Sequence, residues 1–148
     1  MWFHKKDLLF HPTIVDISIR GYVLPHAGTT HTGRIISHTL RFKPKFKFTK
    51  VCILYYPSSN TPNISGKHYH EYYVPMKCVK HFIDEKWNLK RKISFSGINL
   101  LDKLRKKIDL SDTLIIVSAD FSHFLPLQKA IELENKAAHA LMLKQHTQ

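Results

Sequence analysis

Two blocks near opposite ends of the chain carry side chains able to do chemistry. Pro25-His26-Ala27-Gly28, followed by Gly33, and Ser118-Ala119-Asp120-Phe121-Ser122-His123 each come directly after an apolar run. Imidazole, carboxylate and hydroxyl groups gathered in this way serve as metal ligands or as proton-transfer groups. A third block, His68-Tyr69-His70-Glu71, adds two more imidazoles and a carboxylate. On a helix, its spacing brings His68, Glu71 and Tyr72 to one face.

Such blocks need elements to position them, and open α/β sheets place their chemistry just past the carboxyl ends of the strands. The stretch from Val15 to Leu24 reads as a strand that stops at Pro25. Thr32-Gly33 opens a short helix with Ile35, Ile36, Thr39 and Leu40 inward and Thr30 or Thr32 as its cap, before Pro44 ends the segment. Val51 to Tyr56 is a second buried strand running into the turn Pro57-Ser58-Ser59-Asn60. His68 to Lys80 reads as a helix that Pro75 kinks or ends, since an interior proline loses a hydrogen bond and clashes with the preceding turn. Ile98, Leu101, Leu104 and Ile108 recur at helical intervals behind the capping residue Ser96. Leu114 to Val117 is a short, wholly apolar run of the central parallel type. From Pro126, a last helix carries Leu127, Ala130, Ile131, Ala137, Ala138 and Leu141. The expected fold is therefore α/β, a mostly parallel or mixed central sheet with flanking helices, in one domain covering residues 1–148.

Composition agrees with a globular chain: 43% hydrophobic, 11% aromatic and 23% charged residues. No stretch reaches the roughly 18 consecutive apolar residues of a membrane span, and the first residues lack a secretory pattern, so the expectation is a cytoplasmic protein. Cys52 and Cys78 lie neither at zinc-knuckle spacing nor in a disulfide framework and read as reduced thiols. The net charge of +12 raises a nucleic-acid role. The bases, however, fall in separate groups (Lys43, Lys45, Lys47 and Lys50; Lys90, Arg91 and Lys92; Lys103, Arg105, Lys106 and Lys107), which suit an edge segment and solvated faces better than a binding motif.

The order Pro25-His26-Ala27-Gly28 with Gly33, Ile53 to Ser59, His68-Tyr69-His70-Glu71 with Pro75, then Val117 to His123 resembles the Memo family, also called AmmeMemoRadiSam system protein B. The pattern covers nearly all of the chain from Val15 to Met142. The resemblance implies a fold like that of the LigB-type class III extradiol dioxygenases, with a site that holds iron or copper in some members. It also implies AMMECR-type and radical SAM proteins as partners. By the same resemblance His26 is the first metal-ligand histidine and Ser122 matches the third ligand position, followed by the retained His123, itself a candidate ligand. His68 matches the histidine that works as general acid or base, with Glu71 and Asp120 beside it. The second ligand is missing: Ser59 stands where the family has histidine. Lys67 replaces a glutamate, and a long internal segment is absent, which leaves a shortened member with an eroded or rebuilt site. A hydroxyl is a poor donor beside an imidazole, so His31, His70 and His123 are the residues available to compensate.

Plainer roles stand beside these. Pro25 and Gly28 turn the chain, Gly33 allows close packing, His68 and Glu71 pair on a helix surface, and Asp120 caps a turn. Of the remaining histidines, His4, His11, His81, His139 and His146 are expected at the surface. Two functions follow: a mononuclear metal-dependent redox protein built on His26, or a metal-free binding or scaffold protein using the same crevice for a peptide or protein partner. Loss of part of a layer leaves a face to cover, for which a homodimer is the expectation.

Overall fold

The computed structural model describes residues 2–9, 11–56, 69–100, 109–119, 127–129, 131–133, 135–136 and 139. A single 3-10 turn at Lys5–Asp7 precedes the strands β1 (Ile14–Asp16) and β2 (Gly21–Leu24), helix α1 (Thr29–Leu40), and strands β3 (Phe42–Pro44) and β4 (Lys50–Tyr55). Helix α2 (His70–His81) continues into a π-helical turn at Phe82–Lys86, and β5 (Ser94–Asn99) and β6 (Thr113–Ser118) follow. Strands β2, β6, β4 and β5 lie side by side in that order, every pair parallel. A small parallel pair of β1 and β3 stands apart from them. The α/β expectation thus takes the form of a parallel sheet with flanking helices.

Burial follows the two periodicities. On β2, Tyr22 and Leu24 turn inward; on β4, Val51 and Ile53; on β6, Leu114 and Ile116. Ile36 and Leu40 of α1 and Val74, Cys78 and Val79 of α2 meet them, with Leu8, Phe48, Phe82, Ile83 and Trp87 closing the core. Trp87 donates from Nε1 to the Leu40 carbonyl at 3.0 Å, so its polar atom is satisfied inside that core.

Several local expectations need correction. The stretch from Val15 to Leu24 is two strands, because the Asp16 carboxylate accepts from both the backbone N–H and the hydroxyl of Ser18 and turns the chain. Helix α1 begins at Thr29 behind Gly28, without a side-chain cap. The Thr29 hydroxyl is engaged by Asp7, and Thr32 donates to the Ala27 carbonyl. Ile35 is exposed, and the inner face runs through Thr32, Ile36 and Leu40. The helix expected over His68 to Lys80 is present as α2, and Pro75 does not end it: the helix runs on to His81 with the proline buried.

Residues 94–99 form a strand rather than a helical approach. Ile98 pairs with Leu54, and Gly97 leaves room for the Tyr72 ring, which a Cβ would meet at 2.6 Å. Leu101, Leu104 and Ile108 lie outside the described residues. Positions 127–129 and 131–133 are helical as expected, yet Leu127 and Ile131 are exposed. An apolar stripe states what a helix can bury, not that a layer is there to receive it.

Of the basic groups, Lys45, Lys47, Lys50, Lys90 and Lys92 are exposed as expected, Lys43 and Arg91 are half-buried, and Lys103, Arg105, Lys106 and Lys107 lie outside the described residues. Arg91 donates from Nε to the Phe48 carbonyl at 2.7 Å, and its guanidinium lies over that ring. Arg20 stands 4.4 Å over Phe46. These two guanidiniums cover the aromatic rings beneath them. No described helix is long and apolar enough to cross a membrane.

Candidate metal centre

The register of the parallel sheet builds one corner of the site. Leu24, the last residue of β2, pairs with Ser118, the last residue of β6. Side chains alternate along a strand, so His26, two positions past Leu24, returns to the side that Ser118 faces. The two meet: His26 Nδ1 lies 3.0 Å from Ser118 Oγ, and both residues are buried. Hydrogen-bonded Nδ1 fixes the ring, and Nε2 becomes the atom from which a ligand would be taken.

The other corner comes from the start of α2. Glu71 is fully buried in its first turn, where the helix dipole favours a carboxylate, and the neighbouring His70 places Nε2 at 3.1 Å from Glu71 Oε1. The His70 ring meets the His26 ring edge to face with centroids 5.5 Å apart. Ligand atoms of His26, His70 and Glu71 all lie within 4.8 Å of one another. Donors held about 2.1 Å from a shared ion stand roughly 3 to 4 Å apart, so the His70–Glu71 pair already has that spacing and His26 is a short side-chain adjustment away. Two imidazoles and one carboxylate are the donor set of non-haem iron(II) centres. The residues present could therefore hold a metal ion.

Of the residues singled out from the sequence, His26 and Glu71 are brought together here. Glu71 is no helix-surface residue, since burial leaves it facing the core and His70. His31 is exposed on the outer side of α1, where its backbone N–H bonds the Gly28 carbonyl, and it takes no part. His68, Asp120, Ser122, His123 and Ser59 lie outside the described residues. Among the surface histidines, His4 and His139 are exposed as expected, whereas the His81 side chain is only 11% exposed, against Phe3 and Phe82.

Ser118 had no role assigned from the sequence. Its signal was the strand alternation that puts it on the side of Ile116. His70 was one of three compensating candidates, and adjacency to Glu71 concealed the pairing, because neighbouring residues on a helix do not ordinarily face each other. Both cysteines are buried free thiols away from this cluster.

Comparisons of the chain with protein-family models, with curated proteins and with solved structures matched none of them.

Proposed function

We propose that this protein binds a single redox-active transition-metal ion through His26, His70 and Glu71, as a shortened Memo-like protein in which His70 and Glu71 make good the ligand lost at Ser59. The observation that carries the reading is the convergence of two imidazoles and a fully buried carboxylate at the carboxyl end of a parallel sheet. Iron(II) suits the donor set best, with copper the second choice.

When bound, such an ion supplies one-electron chemistry or polarises an oxygen-containing ligand. The protein's own residues do the rest. Ser118 orients His26, and the buried Glu71 carboxylate supplies the negative charge that a divalent cation requires. The AMMECR-type and radical SAM partners, and an acid–base role for His68, rest on the family resemblance.

Untagged protein reconstituted anaerobically with ferrous iron and subjected to elemental analysis tests the reading. Stoichiometric iron is expected in the wild type and none in His26→Ala, with circular dichroism unchanged. Absence of metal from the wild type would overturn the proposal. The His70–Glu71 contact would then be structural, and binding of a peptide or protein partner would become the reading to test.

A further inference from the structure

The two imidazoles of the centre stand on different elements, and a third element bridges them. Residues 2–9 form a strap along α1, from Thr29 to Ser37. Leu8 is buried in the core, the Leu9 N–H bonds Ser37 Oγ at 2.8 Å, and Asp7 accepts from the Thr29 hydroxyl at 2.9 Å. At the head of this strap is Trp2. Its carbonyl accepts from the Thr29 N–H at 2.9 Å, and its backbone sits against Gly28, whose absent side chain would touch it at 3.4 Å. Gly28 and Thr29 end the loop that carries His26.

The Trp2 indole reaches in the other direction. It packs on His70 with ring centroids 5.3 Å apart and on Tyr73 at 6.3 Å. One residue thus grips the His26 loop by its backbone and the amino-terminal turn of α2 by its side chain.

We propose that Trp2 is a positioning residue of the metal centre, a clamp that fixes the His70 imidazole against Glu71 and holds the His26 loop at ligand distance from it. The inference rests on the metal-binding reading above. An imidazole exposed on one side has several rotamers, and an indole wall removes those that point away from Glu71. Residues that orient a ligand, without touching the ion, commonly change metal affinity about 10- to 100-fold when lost. Trp2 is partly exposed at 38%, so its truncation leaves the core of the protein in place.

Cobalt(II) titration of the untagged full chain, followed by ligand-field absorption and by tryptophan emission, tests the clamp. The chain has two tryptophans, Trp2 and the buried Trp87, and Trp2→Phe isolates the emission of Trp87. The expected result is strong quenching assigned to Trp2 by its loss in Trp2→Phe, and an affinity lowered about tenfold or more in Trp2→Ala. Trp2→Phe, which keeps an aromatic wall, is expected to recover most of that affinity, with thermal midpoints showing all three proteins folded. Cobalt bound by Trp2→Ala with wild-type affinity and an unchanged absorption spectrum would overturn the clamp and leave the metal centre standing. No cobalt bound by the wild type would overturn the centre itself, and the clamp with it.

Discussion

His26 and Ser118 share a hydrogen bond across neighbouring parallel strands, 3.0 Å from Nδ1 to Oγ, with both residues removed from solvent. Removing the hydroxyl leaves a buried ring nitrogen without this partner, which costs about 1–3 kcal/mol. It also frees the ring to rotate. Ser118→Ala is therefore expected to lower both the unfolding free energy and the iron affinity, the latter about 10- to 100-fold. Ser118→Thr, which keeps the hydroxyl, is expected to restore the affinity more than the stability. Denaturant unfolding and metal titration of the same samples check the two effects separately.

The contact between these residues shows how far sequence reasoning carries and where it stops. Strand β6 is legible because a short apolar run that ends at a polar block suits an inner parallel strand, and the end of β2 because Pro25 stops it. His26 could be placed at the mouth of a crevice on those grounds. Its partners could not, because the bond to Ser118 joins residues 92 apart in the chain, and the β2–β6 register behind it is a tertiary property. The continuation of α2 past Pro75 and the strand at Ser94–Asn99 escape a reading of the sequence for a related reason. In each, packing overrides local preference: Pro75 is buried among core residues, and β5 gains a whole ladder against β4. Glu71 shows the same limit, since nothing in its neighbourhood of the sequence says that a charged residue will be fully buried.

Acid should loosen the far end of α2. Burial pushes the His81 imidazole below its ordinary value of 6.5, with Lys86 and Lys5 adding to that, against the opposing pull of Glu85 and Asp84. His81 Nδ1 lies 2.5 Å from Glu85 Oε2, yet desolvation is the larger effect. On α1, His38 is lowered too, first by burial and then by His11, Arg41 and Arg34. A histidine with a depressed folded value binds fewer protons folded than unfolded. Its contribution to stability is complete above 6.5 and falls as pH drops through 6.5 toward the folded value. The thermal midpoint is expected to decline from neutral pH into the mildly acidic range, and His81→Gln is expected to flatten that slope. A midpoint indifferent to pH from 7.5 to 5 in the wild type would contradict this assignment.

Neither thiol should react while the protein is folded. Burial pushes the Cys78 thiol up to about 12, and it raises Cys52 as well, against a weaker lowering by a hydrogen bond with Ser96. The thiolate is the reactive form, so at pH 8 almost none is present and access is closed. A disulfide-exchange reagent is expected to label no cysteine in native buffer and both in denaturant, the chain having two. Rapid native labelling of either one would mean that the sheet or α2 opens far more readily than its packing indicates.

Gly33 offers a test in which two local effects oppose each other. It lies inside α1, where alanine is favoured over glycine by about 1 kcal/mol. A Cβ there, however, would stand 2.5 Å from the Asp7 carbonyl oxygen and 3.0 Å from its carbon, atoms of the strap's backbone that no rotamer change can move. Either the strap lifts or α1 shifts, and overpacking of this kind costs roughly 1–3 kcal/mol. The clash should win, so Gly33→Ala is expected to destabilise the protein in urea despite the better helix former. Because Asp7 anchors the strap whose head is Trp2, the same variant is expected to move the Trp2 emission toward that of an exposed indole. A stabilised Gly33→Ala with unchanged emission would show that the strap does not press on the helix, and the close approach of Asp7 would lose its significance.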